Sequence, residues 1–363
     1  MAGMKAILLR EPTVLELVEV PRPVLTAPEH VLIRVEACGI CGSDLRYYAG
    51  ENPWALHTLG RHVDNPPNMT LGHEFSGVVV EVNDARYEHL LGRRVGAQAF
   101  RTCQECELCR SGHENLCKQT LHIGHAQGWG AMGLFPGAYA DYCLAWADLV
   151  YPMDDHVSFE EEAMRDFLGV AVHAVARAEL REGTTVLCIG GGPVGLSIAQ
   201  VARARGAARV IISEPAPVAQ AVIARYEGLT CLDPAGTDLV AALGRASCAA
   251  VFDTVGTPET TATGLALLAE AGTYVNLAVH DTSMTLNAMD LGSERRMTTS
   301  SNARYRDERE AHGLIASGAV DMASMITHRF PLEAFADAYA LLLAEPKQAY
   351  KVIFTFQPTT GNR

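Results

Sequence analysis

The sequence predicts an α/β protein of two domains, one a parallel sheet covered by helices on both faces, the other mostly β. Three observations carry this. Between residues 184 and 278, the β-type runs TTVLCI, ARVIISE, AAVFDTVG and GTYVNLA alternate with helical segments such as 196–205, the pattern of a doubly wound sheet. From Met4 to about Val150, short β runs at 31–37, 76–82, 94–99 and 139–144 are separated by turn residues and long loops. At 363 residues the chain is long for one core, which allows one domain to interrupt the other.

The opening MAGMKAILLREP meets charge after a few apolar positions and reads as a first strand, not a signal peptide. The β texture gives way near Val157, where SFEEEAMRDFLGVAVHAVARAEL reads as helix. After the sheet region the pattern turns irregular at Asn287, then helical at 307–317 and 332–343, and closes on a strand at 350–356. The domain boundaries expected are 1–155 for the β domain, 156–292 for the sheet domain and 293–363 for a return to the first.

Bulk composition removes several classes of function. A formal charge of −13 provides no basic field for DNA or RNA, so a small molecule is the expected partner. No run reaches the ~18 apolar residues of a membrane helix. The ten cysteines are expected in a reducing cytoplasm, where metal binding or catalysis is favoured over a disulfide framework.

The strongest motif is CQECELCRSGHENLC, which sets Cys103, Cys106, Cys109 and Cys117 in a C-x2-C-x2-C-x7-C pattern. Four thiolates suit a closed tetrahedral zinc site that pins a loop. An iron–sulfur cluster would take its fourth cysteine after three residues and follow it with proline, whereas here the gap is seven and Lys118 follows.

A second constellation is scattered. Cys41 in ACGICGSDLRYYAG and His73 in LGHEFSG offer a thiolate and an imidazole, the donors a catalytic zinc prefers. Asp166 opens the apolar run DFLGVAVHA. It is either a helix N-cap or a metal ligand, since a carboxylate near a core needs compensation.

The third signal is Gly190-Gly191-Gly192-Pro193-Val194-Gly195, which follows a predicted strand and opens a helix, with Glu214 nineteen residues beyond Gly195. Gly190 permits the tight turn, Gly192 lets the backbone approach a pyrophosphate, and Gly195 lets helix and strand pack closely. Glu214 would take the adenosine ribose hydroxyls. No arginine in residues 215–219 meets a 2′-phosphate, so NAD is favoured over NADP.

Together GICGSDLRYYAG, LGHEFSG, the four-cysteine lobe, GGGPVG, AAVFDTVG and KVIF resemble the zinc-dependent medium-chain dehydrogenases over nearly the whole chain, and most closely the sorbitol/polyol and threonine branch. The resemblance implies a Rossmann domain inserted into a GroES-like catalytic domain, and a homodimer or tetramer. It gives Cys41 and His73 as catalytic zinc ligands and Ser43 as the start of the proton relay. Asp166 takes the place of the branch's glutamate ligand, one methylene shorter, and Glu74 in GHE is an acid that can exchange onto the metal. Arg46 stands where the branch commonly has a relay histidine, and arginine cannot release a proton at neutral pH. Tyr47 matches a residue near the substrate pocket, or packs as an ordinary aromatic. The insert at 50–70, with Trp54 and His57, is expected to shape that pocket. The implied activity is NAD-linked oxidation of a secondary alcohol, with zinc as Lewis acid and hydride passing to the nicotinamide. The rivals are a zinc-free quinone or enone reductase, and a zinc- and nucleotide-binding protein without catalysis.

Overall fold

The computed structural model describes residues 3–125, 136–280 and 282–356. The chain divides into two compact units. One comprises Met1–Asp166, Ile326–Glu345 and Lys351–Arg363, the other Phe167–Met325 and Pro346–Tyr350.

The first unit is built on a seven-stranded sheet, with the two-stranded pair Gly3–Glu11 and Val14–Pro21 ahead of it in the sequence. The order in the sheet is Ile326–Pro331, Lys351–Thr355, His30–Gly39, Glu74–Val82, Arg94–Ala97 and Val150–Pro152, and Tyr142–Trp146 also pairs with His30–Gly39. Most pairings are antiparallel. The central strand buries Val31, Ile33 and Val35. The antiparallel pairing of His30–Gly39 with Glu74–Val82 sets Gly39 opposite Glu74. That register brings Cys41, just past the end of one strand, to His73, just before the start of the other. Gly77 lies so close to the neighbouring strand that a Cβ there would fall 2.0 Å from the Arg34 carbonyl oxygen.

The predicted helix over residues 158–180 is two helices, Phe159–Ala163 and Arg165–Arg177, interrupted at Met164. Ser158 and Glu161 form a reciprocal capping box on the first. Asp166 therefore lies inside the first turn of the second helix, where the helix dipole favours an acid, and is not its N-cap. Glu162 and Arg165 form a fully buried ion pair at 3.0 Å beside it.

The second unit holds six parallel strands in the order Leu229–Leu232, Arg209–Ser213, Thr185–Ile189, Cys248–Asp253, Leu268–Asn276 and Arg296–Thr299. This is the strand order of a dinucleotide-binding sheet, which reverses direction between Thr185–Ile189 and Cys248–Asp253. Leu187, Ile211, Val251 and Tyr274 sit in its core. The sequence shows four of the six strands; Leu229–Leu232 and Arg296–Thr299 are short and lack a long apolar run. Because Arg296–Thr299 adds a sixth strand and the helix Tyr305–Ala316 falls in the same unit, the return to the first unit comes at Ile326, not at residue 293. Among the described residues no helix is long and apolar enough to cross a membrane.

Candidate active site

Cys41 is the N-cap of the short helix Gly42–Tyr48, and Asp44 at the third helical position closes the capping box. The Cys41 backbone N–H donates to Asp44 Oδ2 at 2.9 Å, and the Tyr139 hydroxyl donates to the same oxygen at 2.8 Å. Asp44 Oδ1 lies 3.6 Å from His73 Nδ1. A wholly buried carboxylate thus orients both the segment carrying the thiol and the ring carrying the imidazole. At 3.6 Å the contact with His73 is electrostatic and not a hydrogen bond, and it stands where metal-ligating histidines commonly have a carboxylate behind them.

Donor atoms of Cys41, His73 and Glu74 all lie within 4.8 Å of one another. Burial opposes a charge on His73, but the Asp44 and Cys41 charges outweigh it and lift the imidazole well above the ordinary histidine value. Burial likewise opposes the Asp44 charge, and His73 outweighs it, leaving the carboxyl below its usual range. Glu74 is pinned from behind by the Lys351 ammonium, which also donates to the Ile40 carbonyl at 2.9 Å. Gly39 makes room for that pair, since a Cβ there would sit 2.2 Å from Glu74 Oε2.

Asp166 stands outside this tight set. Burial raises its carboxyl; His73 opposes the rise, and Glu74 adds to it, so Asp166 shares their electrostatic environment. The sequence offered Asp166 first and Glu74 as the exchanging acid. The structure brings Glu74 closer to the thiolate and imidazole.

Ser43 Oγ lies 3.5 Å from His125 Nε2, and the His125 ring lies 4.3 Å from that of His73. His125 stacks on His122 at 4.0 Å, and Trp54 reaches both rings at 5.6 and 4.6 Å. Burial, reinforced by the charge on His73, pushes His122 down to about 3; burial and the two neighbouring histidines hold His125 well below its ordinary value. Both are therefore neutral rings. Tyr47, wholly buried, packs in the same cluster 5.2 Å from His125. Arg46 Nε donates to Glu51 Oε2 at 2.7 Å in an exposed pair.

The four thiols of Cys103, Cys106, Cys109 and Cys117 converge, with Sγ–Sγ separations of 3.5, 3.5, 3.8 and 3.9 Å. A tetrahedron with zinc–sulfur bonds of ~2.3 Å has edges of about 3.8 Å. Disulfides would need ~2.05 Å. The donor set fits zinc. The lobe is bracketed by the paired strands Phe100–Arg101 and Leu121–His122.

In the second unit, Gly190 takes φ +91°, and a Cβ on Gly195 would fall 2.0 Å from the Gly190 carbonyl oxygen. Gly192, by contrast, faces open space. It caps the helix Pro193–Ala204, in which Pro193 takes the first position and Val194 the second. Glu214 Oε2 accepts the Gly191 N–H and Oε1 the Ala216 N–H, each at 2.7 Å. Each oxygen keeps a lone pair for a sugar hydroxyl. Ile189, Gly190, Glu214, Pro215, Val255 and Lys347 are among the residues lining a cavity of about 410 Å³ at this end of the sheet. The site fits a dinucleotide.

The sequence reading did not single out Asp44, His122, His125, Lys347 or Tyr350. Asp44 alone had a local signal, as the acid three residues past a helix-starting Cys41.

Residues 27–155 match the alcohol dehydrogenase GroES-like domain and residues 193–317 the zinc-binding dehydrogenase domain. The Probable D-xylulose reductase A of Neosartorya fischeri is 32% identical over 85% of this chain and 84% of its own length. The chain belongs to the zinc-binding alcohol dehydrogenase family. The L-galactonate-5-dehydrogenase of Escherichia coli K12 is 27% identical to this dehydrogenase, covering 98% of it and all of the relative. Among solved structures, alcohol dehydrogenase TADH from Thermus sp. ATN1 superposes with a TM-score of 0.86 at 25% identity, covering 98% of this chain and 100% of the other. An NADP-bound chain from Sinorhizobium meliloti 1021 gives 0.85 at 27%, with the same coverage. This dehydrogenase is an oxidoreductase acting on CH–OH groups, with zinc and a nicotinamide dinucleotide as its cofactors. The zinc-free and non-catalytic alternatives are set aside.

Proposed function

We propose that this dehydrogenase oxidises a secondary hydroxyl of a polyol or sugar-derived substrate to a ketone, with NAD as hydride acceptor. The observation that carries the reading is the convergence of Cys41, His73 and Glu74 within 4.8 Å, with Asp166 in the same electrostatic environment. Both relatives are named for sugar-derived substrates, which supports the substrate class.

The zinc would be held by Cys41, His73 and a carboxylate, and when bound supplies Lewis acidity toward the alcohol oxygen. Charge balance favours Asp166 as that carboxylate, because the Glu74 charge is already met by Lys351. One thiolate and one carboxylate then balance a divalent ion. Glu74 is the exchanging acid. Ser43, partly exposed beside His125, accepts the substrate hydroxyl proton as its own proton passes to His125 Nε2, 3.5 Å away. The neutral rings of His122 and His125, with Trp54 and Tyr47, form a buried cluster behind Ser43, and His125 is the ring of that cluster that reaches the Ser43 hydroxyl. Glu214 holds the adenosine ribose and the glycine turn the diphosphate. Cys103, Cys106, Cys109 and Cys117 hold the structural zinc. The ten unbridged cysteines suit a cytoplasmic enzyme, and the family resemblance a homo-oligomer.

The test is a polyol and sugar-acid screen followed by NADH absorbance, with metal content measured on wild type, Asp166→Ala and Glu74→Gln. Asp166→Ala should lose catalytic metal and turnover while keeping the structural zinc and the fold. Full metal content and turnover in that variant would leave Asp166 a helix-dipole role only. No turnover by wild type on any polyol would remove the substrate class.

A further inference from the structure

The segment Pro346–Tyr350 belongs to the second unit although the chain on either side of it lies in the first. Two of its residues reach the dinucleotide site. The hydroxyl of Tyr350, a buried side chain, donates to the Gly191 carbonyl at 2.8 Å. Gly191 is then held at both ends of its backbone, its N–H by Glu214 at 2.7 Å and its C=O by Tyr350. No side chain fits there either, since Ile223, Glu214 and Ile212 lie within 3.0 Å of where a Cβ would be. The neighbouring Gly192 is the residue that faces open space. Tyr350 thus fixes the peptide that leads into the phosphate-facing glycine.

Lys347 is exposed and lines the same cavity as Glu214 and Glu259, and it is the one cation among the described lining residues. It makes no ion pair within the described residues. In NAD the only negative charge is on the diphosphate, so an ammonium at this cavity that pairs with neither Glu214 nor Glu259 has one anionic group to meet on the cofactor.

We propose that Pro346–Tyr350 is the second half of the cofactor site, with Tyr350 as a positioning residue that sets the glycine turn through the Gly191 carbonyl, and Lys347 as the cation that binds the dinucleotide's diphosphate. This rests on the reading of the glycine turn and Glu214 as the dinucleotide site. It assigns recognition to a stretch more than a hundred residues away from the motif.

The experiment is NADH binding followed by cofactor fluorescence, with ADP and adenosine as competitors, on wild type, Lys347→Ala, Lys347→Arg and Tyr350→Phe, alongside thermal unfolding. Lys347→Ala should weaken NADH and ADP about tenfold, leave adenosine unchanged, and be rescued largely by Lys347→Arg. Tyr350→Phe removes one hydrogen bond and should weaken NADH roughly threefold to tenfold, with the KM for NAD raised by more than kcat is lowered. Wild-type affinity for NADH in Lys347→Ala, or equal weakening of adenosine and ADP, overturns the role of Lys347. A lowered melting temperature with unchanged NADH affinity in Tyr350→Phe makes that tyrosine structural only. Failure of the wild type itself to bind NADH would overturn the underlying site reading instead, so the two failures are distinguishable.

Discussion

Asp44 Oδ1 stands 3.6 Å from His73 Nδ1, while the other oxygen of the same carboxylate receives the Cys41 N–H at 2.9 Å. One buried acid therefore orients two donors that are far apart in sequence. Asp44→Asn keeps the shape and removes the charge. Loss of a carboxylate behind a metal-binding histidine weakens metal roughly 10- to 100-fold. Metal analysis after dialysis against a mild chelator should find the variant short of one equivalent, with the four-cysteine site still loaded. Retention of both would show that Asp44 only caps the helix.

Removing one thiolate from the lobe should do the reverse. Cys117 is 1% exposed, and Cys117→Ser leaves three thiolates. One zinc equivalent should be lost, thermal stability should fall, and the three remaining lobe thiols should become reactive toward a thiol reagent. A protein that still carries two zinc ions would refute the assignment of the lobe as a zinc site.

The glycines of the turn separate space from function. Gly195→Ala drives a methyl into the Gly190 carbonyl and should cost about 1–3 kcal/mol of stability together with cofactor binding. Gly192→Ala meets no protein atom and has φ −69°, so the melting temperature should hold while NADH affinity falls. Equal melting losses in both would contradict this division.

The buried pair of His173 and Asp307, at 2.8 Å, predicts an acid limb of stability. Burial pushes the Asp307 carboxyl up, but the His173 hydrogen bond and the Arg304 N–H outweigh it and leave the group below its usual value. A carboxyl lowered in the folded state stabilises it above the unfolded value of ~3.9, and that stabilisation disappears as pH falls through the folded value. Asp307→Asn should therefore be about 1–3 kcal/mol less stable at pH 7. Denaturant titrations across the acid range should show the two proteins converging below about pH 4; a constant gap argues that the effect is packing, not charge.

What the sequence displays and what it conceals follow a physical division. The four-cysteine lobe and the glycine turn are legible because their residues are neighbours in the chain, so spacing alone encodes geometry. The strands 185–189, 209–213 and 248–253, and the second half of 268–276, are legible because they are mostly buried and read as apolar runs. Leu229–Leu232 and Arg296–Thr299 escape because each is four residues long with little fully buried surface. His122, His125, Lys347 and Tyr350 escape for another reason. A histidine or tyrosine gains its role from what tertiary packing sets beside it, and no spacing records that. For Asp166, position in the chain indicated an acid near the metal, but whether it or Glu74 lies nearer depends on a helix break at Met164 that the apolar pattern does not reveal.

The ladder that sets Gly39 against Glu74 has a consequence for how the two zinc sites fill. The lobe's four sulfurs come from a single short loop, so an unfolded or nascent chain can gather them and load that ion early. Cys41 and His73 meet only after two strands separated by a long insert have zipped to their ends. The reactive centre therefore waits on the pairing of those two strands, and a chain arrested before that point would carry one ion but be unable to act on any alcohol.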